Sequence, residues 1–339
     1  MSARILVTGA AGFLGSHTAR ALVRGGWDVA GFDALTYAGD ETRLRDLDRS
    51  RFRLIRGDIT DRAAVRRLLR EVRPDAVAHF AAESHVTRGE RDPDVFHRTN
   101  VIGTRVMLEE SDRVGTTRFV HISTDEVYGP IVEGFVREGD KRPGPGSATS
   151  AYARSKAVGD DLARGFAGSM RVVVARPTNC FGSWQHPEKA FPRWITSALL
   201  GESLPVWGGG AQVRQWLYAE DLAAAIALMA STSEPEPVYN IGPRHEPEIR
   251  NVELARWILS HLELPPDRLV LTAYDRPDHD VRYSVDPSRI EALGWHASNV
   301  WESFARTLRW YRRNRAWWFA RRGEAESIYQ DRAYHDRTA

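Results

Sequence analysis

Apolar residues fall along the first half of the chain in short solid runs, and between these runs they recur every three or four positions. The runs RILVTG (Arg4–Gly9), DVAGFD (Asp28–Asp33), FRLIRGD (Phe52–Asp58), DAVAHFAA (Asp75–Ala82), RFVHIS (Arg118–Ser123) and RVVVARP (Arg171–Pro177) read as buried strands. Between them, helical spacing covers Gly12–Arg24, Asp61–Val72, about Asp94–Val114 and about Ala151–Phe166. In DRAAVRRLLREV the apolar positions are Ala64, Val65, Leu68 and Leu69, one face of a helix. Strands and helices in alternation predict an α/β fold with a doubly wound parallel sheet of the Rossmann type, since antiparallel sandwiches do not alternate in this way.

After Pro177 the pattern loosens: glycine, proline and tryptophan rise and the loops lengthen. This predicts a second, smaller mixed α/β lobe facing the substrate. AEDLAAAIALMA (Ala219–Ala230) is a clean helix that can return to pack on the first domain. The expected division is a Rossmann domain over 1–178 with a return segment at about 211–232, a substrate lobe over 179–210 and 233–322, and a tail over 323–339. The segment TLRWYRRNRAWWFARR (Thr307–Arg322) is amphipathic, aromatic and basic. Docking of its tryptophans on the domain, with a solvated basic face, is expected over binding to a membrane surface.

The chain has 339 residues, more than one core usually serves, with 42% hydrophobic and 27% charged residues. No apolar run reaches the roughly 18 residues that span a bilayer. Lysine plus arginine number 47 against 45 acids, a net charge of +2, which gives no support to a nucleic-acid binder. Cys180 is the only cysteine, so an intrachain disulfide and a cysteine metal cluster are excluded, and no metal site is expected. With an N-terminus, MSARILVTGAAG, that runs straight into a strand, a cytoplasmic location is expected.

Three local patterns carry chemistry. TGAAGFLG places Gly9, Gly12 and Gly15 between the first strand and the first helix, where glycines let backbone approach a pyrophosphate and the helix N-terminus supplies amides. Asp33 ends the second strand about 20 residues later, in position to bond a ribose diol and repel a 2′-phosphate. No arginine follows within DALTYAG, which favours NAD over NADP. The competing reading is an ordinary strand–helix turn with a capping aspartate. In YARSK, Tyr152 and Lys156 share one helix face, and a nearby ammonium favours the phenolate of a tyrosine that takes a proton from an alcohol. In STDEVYG, Asp125 and Glu126 sit side by side just past an apolar strand, a costly place for two acids unless they work.

Together these residues resemble the extended short-chain dehydrogenase/reductase family, and more closely its dTDP-glucose 4,6-dehydratases, from about Arg4 to Trp318. The resemblance is carried by TGAAGFLGSH, DALTYAG, GDI, HFAAESHV, TNVIGT, STDEVYG, YARSK, HPEKAFP, LPVWGGG, QVRQWLYAEDL, YNIG and DRPDHDVRYS. It implies that Tyr152 accepts the C4 hydroxyl proton of a hexose while Thr124 bonds the same oxygen, that Glu126 takes the C5 proton, and that Asp125 protonates the departing C6 hydroxyl. It implies NAD held by Gly9, Gly12, Phe13, Leu14, Gly15, Asp33, Asp58, Ile59, Ala81, Thr99, Tyr152 and Lys156. It implies a nucleotide sugar, dTDP-glucose, held by Ser84, Thr124, Asn179, Lys189, Trp207, Arg214, Asn251, Asp275, Arg276 and His279, and a homodimer paired through the helices at about Asp94–Val114 and Ala151–Phe166. His279 also reads as a loop histidine, and Asn251 as a helix cap. The chain departs from the family pattern at Thr87, Gly89, Cys180, Trp207 and Asp278, none of them in the expected catalytic set. Rival readings are a nucleotide-sugar 4-epimerase, which needs neither a C5 base nor a C6 acid, and a dinucleotide-sensing regulator, which has no use for the tyrosine and lysine.

Overall fold

The structure, a computed structural model, describes residues 2–84, 93–131, 133–144, 150–272, 282–323 and 325. Six strands come first: β1 (Arg4–Thr8), β2 (Asp28–Asp33), β3 (Phe52–Arg56), β4 (Ala76–His79), β5 (Arg118–Ile122) and β6 (Arg171–Pro177). Four short ones follow, β7 (Cys180–Phe181), β8 (Leu204–Val206), β9 (Val213–Arg214) and β10 (Leu217–Tyr218); then come β11 (Val238–Ile241), β12 (Ile249–Arg250) and β13 (Leu269–Leu271). The longer helices are α1 (Phe13–Arg24), α2 (Arg62–Val72), α3 (Thr104–Arg113), α4 (Ala151–Arg164), α5 (Ala190–Leu199), α6 (Ala219–Ser231), α7 (Asn251–His261) and α8 (Val300–Arg313).

A seven-stranded sheet in the order β11-β6-β5-β4-β1-β2-β3 carries the molecule, and every pairing in it is parallel. Solid apolar runs follow from burial on both faces. Ile5 and Val7 of β1 face a core shared with Leu22 of α1 and with Leu222, Ile226 and Met229 of α6, whereas Leu6 faces Val65, Leu69 and Met107 on the other side. The chain leaves β1 for β2 on one side and later places β4 on the other, so strand order reverses at β1 and a crevice opens at the carboxyl ends of β1 and β4. The smaller lobe has its own core, an aromatic cluster including Phe181, Phe191, Trp194, Trp216, Phe304 and Trp318.

The elements differ from the sequence pattern in three informative ways. β3 stops at Arg56 and β4 at His79; the Gly57 and Phe80 amides make the last bonds to the neighbouring strands, to the Asp33 and Thr8 carbonyls, and Gly57–Asp58 and Phe80–Ala82 form cleft wall. The helix expected over 94–114 is present, but its middle, His97–Gly103, winds as a π-helix between Pro93–Phe96 and α3. The division of the chain also needs correction. Val238–Ile241 was assigned to the substrate lobe, yet it pairs with β6 as the seventh strand of the main sheet, and Ile290 and Trp295 join the sheet core as well. Its apolar run is too short to announce itself as a sheet strand.

Candidate active site

The crevice widens into a cleft of about 840 Å³ that runs from the glycine turn to the small lobe. At its cofactor end Gly9 has φ 67°, a left-handed backbone, and a Cβ there would lie 2.8 Å from the Ala81 nitrogen. A Cβ on Gly15 would come within 2.1 Å of the Gly9 carbonyl oxygen. The turn therefore excludes side chains where α1 begins at Phe13 and Leu14. Gly12 caps α1 without a side-chain bond and no acid lies in the first turn, which leaves the amides and the positive end of the helix to an anion. Asp33 accepts hydrogen bonds from the amides of Ala11 (2.9 Å) and Leu35 (2.8 Å), and its carboxylate lines the cleft. Burial raises its pKa, against the pull of those two amides. Asp58, Ile59, Ala81 and Thr99 line the same end. A glycine cradle, an uncapped helix terminus and a strand-end carboxylate fit an NAD pyrophosphate and ribose diol. Arg43 reaches this end too, but its guanidinium donates to the carbonyls of Ala11, Ala38 and Trp184, in keeping with a site that lacks a partner for a 2′-phosphate.

Midway, β5 delivers Ser123 and Thr124, and a single 3₁₀ turn (Asp125–Tyr128) presents both acids. Thr124 donates to Asp125 Oδ1 (3.1 Å) and accepts from the Glu126 amide (3.3 Å). Asp125 is 2% exposed and its Oδ2 has no partner among the described residues. Burial, then the adjacent Glu126, pushes its carboxyl up to about 7, while Thr124 and the Arg214 charge oppose the rise. A carboxylic acid that still holds its proton near neutrality thus sits beside a second carboxylate. Tyr152 opens onto the same cleft from α4, where Ser150 caps the helix by accepting from the Ala153 amide. Its pKa is raised, first by burial and then by Glu126 and Asp125. Lys156, one turn on, is buried and donates to the Ile122 carbonyl (2.6 Å); burial lowers its pKa to about 8, partly offset by Asp160. The lysine thus lines the cleft as expected, but the bond its ammonium makes goes to the strand.

Sequence reasoning gave no role to the buried groups that fix these side chains. Asp160 lies at i+4 from Lys156 and accepts from Ser123 Oγ (2.8 Å) and, through both oxygens, from Arg176 (2.8 Å each). Arg176 also donates to Tyr128 Oη (2.6 Å), which donates to Asn240 (2.8 Å). The acid-bearing turn is therefore pinned at both ends, by Ser123 and by Tyr128, to one ion pair in which both side chains are fully buried. The i, i+4, i+8 series Tyr152, Lys156, Asp160 was the available signal. Asn100, in the π-helix, accepts from the Glu83 amide (2.8 Å) and donates to Ser155 Oγ (2.9 Å), which donates to the Tyr152 carbonyl (2.8 Å). Thr104 donates its hydroxyl to the Asn100 carbonyl, so His79 Nε2 must donate to Thr104 (3.1 Å) while Nδ1 accepts from Thr8 (2.8 Å). This series runs from the cleft floor to the π-helix and fixes the His79 tautomer.

The far end is lined by Ser84, Asn179, Lys189, Trp207, Arg214 and Asn251, all expected from the sequence. Lys189 Nζ donates to the Ser84 carbonyl (3.1 Å), and the Arg214 guanidinium lies 4.8 Å from the centre of the Tyr283 ring. Asn179 Oδ1, Asn251 Oδ1 and Trp216 Nε1 are buried without a partner among the described residues. Cys180 Sγ donates to the Thr178 carbonyl (3.3 Å), and burial raises its pKa and keeps it a thiol. Asp275, Arg276 and His279 lie outside the described residues, as do Thr87, Gly89 and Asp278.

Residues 5–242 match the NAD dependent epimerase/dehydratase family. The chain is 42% identical to a dTDP-glucose 4,6-dehydratase of Streptomyces niveus, covering 93% of this chain and 94% of that one. It is 36% identical to a dTDP-glucose 4,6-dehydratase of Escherichia coli, with 93% and 95% covered. Its fold superimposes on the crystal structure of DesIV, a dTDP-glucose 4,6-dehydratase of Streptomyces venezuelae with NAD and TYD bound, with a TM-score of 0.86 at 41% identity, covering 93% of this chain and 98% of that one.

Proposed function

The chain belongs to the NAD dependent epimerase/dehydratase family, and from that premise we propose that it is a hydro-lyase that converts dTDP-glucose into dTDP-4-keto-6-deoxyglucose and water. The observation that carries this reading is the pair Asp125–Glu126, a buried acid that holds its proton beside a second carboxylate, in one cleft with Tyr152 and the glycine cradle. Relatives at 42% and 36% identity that are dTDP-glucose 4,6-dehydratases support it.

NAD, held at Gly9, Gly12, Phe13, Leu14, Gly15, Asp33, Asp58, Ile59, Ala81 and Thr99, supplies the acceptor for the C4 hydride, its donor to C6, and a positive ring that favours the Tyr152 phenolate. Tyr152 takes the proton of the C4 hydroxyl and Thr124 bonds the same oxygen. Glu126 removes the proton from C5, made acidic by the C4 ketone, and Asp125 gives its proton to the C6 hydroxyl, which leaves as water. Lys156 supports Tyr152 and the cofactor ribose. Arg214 and Lys189 face the diphosphate, and Trp207, Asn251, Asn179 and Ser84 hold the base and sugar; Asp275, Arg276 and His279 complete this set. One acid must hold a proton and its neighbour lack one, and burial splits adjacent carboxyls in that sense.

The same reading takes the sheet with its return through 241 as the dinucleotide domain and the remaining central and C-terminal segments as the substrate lobe. It takes the protein as cytoplasmic and as a homodimer paired through α3 and α4; the exposed Ile102, on the π-segment that leads into α3, supports that face. No helix among the described residues is long and apolar enough to cross a membrane.

The test is incubation with dTDP-glucose followed by base, which develops the near-ultraviolet absorbance of a 4-keto sugar. With substrate deuterated at C4, the label should appear at C6 of the product, and in heavy water C5 should gain deuterium. An epimerase gives neither result.

A further inference from the structure

The aromatic-basic C-terminal segment takes no part in the chemistry above, yet it reaches the loop that lines the cofactor end of the cleft. Trp317 Nε1 donates to Asp40 Oδ2 (2.6 Å), and Arg321 donates to the same oxygen (2.5 Å). Asp40 sits in the loop that follows β2, and that loop lines the cofactor end of the cleft through Ala34, Thr36, Tyr37, Ala38 and Gly39. The Asp40 amide donates to the Ala11 carbonyl inside the glycine turn (3.0 Å), and Arg43 donates to that carbonyl as well (2.8 Å) and to the Ala38 carbonyl (2.6 Å). Asp40 therefore joins the C-terminal helix over 315–323 to the loop through its carboxylate, and to the turn through its amide.

The small lobe enters the same junction. Arg43 Nε donates to the Trp184 carbonyl (3.1 Å), and the Trp184 ring lies 4.8 Å from that of Trp310 and 5.2 Å from that of Trp317. Trp184 has φ 66°, a left-handed conformation that a bulky side chain adopts only where its surroundings hold it. The Arg321 and Arg43 guanidinium groups lie 4.7 and 5.4 Å from the Trp317 ring centre. Burial opposes the Asp40 charge, but Thr42, Trp317 and Arg321 together hold its pKa below the usual range, so the junction is ionised at neutral pH.

We propose that Asp40, Trp317 and Arg321 form a latch by which the C-terminal helix holds the loop 34–43 closed along the dinucleotide, so that the cofactor is retained through successive turnovers. The inference rests on the reading that the glycine cradle holds NAD. Redox-neutral chemistry that restores its cofactor in each cycle gains nothing from release, and a lip fastened from outside the cleft slows release without touching the reacting atoms. Trp317 and Arg321 are positioning residues acting through the loop.

The measurement is the dissociation rate of NAD from the full-length holoprotein, read by trapping released NAD with an excess of an auxiliary dehydrogenase, together with the NAD carried through purification. Trp317→Phe, which keeps an aromatic ring and removes the N–H, and Arg321→Ala should each speed release at least tenfold and lower the NAD carried, with melting of the dTDP-saturated protein little changed. Arg309→Ala, on the exposed side of α8, should release NAD at the parental rate. Parental release rates in both latch variants overturn the proposal, as does equal acceleration by Arg309→Ala. Asp33→Ala separates the two readings. If it leaves NAD binding unchanged, the cradle assignment is wrong; if it abolishes retention while the latch variants do nothing, only the latch is.

Discussion

On the sheet side of the cleft the groups proposed to react hang from the end of the five-residue β5 and from the 14-residue α4, backed by Arg176 of the seven-residue β6. On the lobe side only Arg214 of the groups proposed to face the substrate lies in a strand, the two-residue β9; Asn179 precedes β7, Lys189 precedes α5, Trp207 follows β8 and Asn251 opens α7. The polar atoms differ in the same sense. Ser123, Tyr128, Asp160, Arg176 and Asn240 hydrogen-bond one another behind the acids, whereas Asn179 Oδ1, Asn251 Oδ1 and Trp216 Nε1 are buried without partners among the described residues. A buried polar atom left unpaired costs about 1–3 kcal/mol. The lobe wall carries that cost until a ligand supplies the partner, while on the sheet wall the network behind the acids is complete in advance and Asp125 Oδ2 is left open. Catalysis needs groups held to within a fraction of an ångström before the substrate arrives; recognition can be completed by the substrate itself.

The largest effects should come from the sheet wall. Tyr152→Phe removes the proposed C4 proton acceptor and, of the buried bonds, only that with Thr124, so turnover should fall roughly 10³-fold while melting temperature changes little and NAD content holds. A fall of less than tenfold would mean that another group takes that proton. Glu126→Gln should lower dehydration roughly 10²-fold, yet leave C4 oxidation measurable as reduced-cofactor absorbance during a single turnover. Near-normal dehydration in that variant would give the pair of acids another job.

The same contrast explains what the sequence made legible. Long strands buried on both faces print continuous apolar runs, and a glycine turn needs its residue type at each place, so β1–β6, the cradle and Asp33 were readable. Tyr152 and Lys156 stand out by their spacing and the acid pair by its place after a strand, and the structure brings all four to one cleft. The lobe's short strands bury too little to leave a period, and β11 went to the wrong layer because a four-residue apolar run has no direction until it meets a neighbour. Asp160 and Asn100 were invisible as functional residues for another reason. Their meaning lies in partners 16 to 55 positions away, which only the fold brings together. The C-terminal tryptophans read as docked, but the loop they hold could not be named.

Two single changes give opposite signatures on the two walls. Asn251→Ala removes an oxygen that has no partner among the described residues, so it should leave melting unchanged or raise it by about 2 °C, while KM for dTDP-glucose rises roughly tenfold. Ser123→Ala removes a donor that Asp160 already uses, so melting should fall by about 2–4 °C with KM unmoved. Melting that falls in both variants would mean that the lobe wall is as complete as the sheet wall.

A last test concerns the acid on the sheet side that has one oxygen without a partner among the described residues. Asp125 is buried with Oδ2 unpartnered, and its carboxyl is pushed from the usual 3.8 up to about 7 by burial and then by Glu126. Below the unfolded value both states carry the proton, and the group neither helps nor harms stability. Between pH 4 and 7 the unfolded chain ionises while the folded one does not, so the folded state loses ground as pH rises, and the loss is complete above about 7. The shift corresponds to an upper bound of roughly 4 kcal/mol, which relaxation and water entry reduce. Asp125→Asn, similar in shape and unable to ionise, should therefore melt like the parent at pH 4 and several degrees above it at pH 8, the gap opening between those values. Its activity should be low at every pH, because the C6 hydroxyl has lost its acid, whereas the parental rate should fall above pH 7 as that proton is lost. Equal melting of variant and parent across the whole range would show that Asp125 is ionised in the free protein, and the Asp125–Glu126 pair would then need the bound substrate, not the fold, to set its proton.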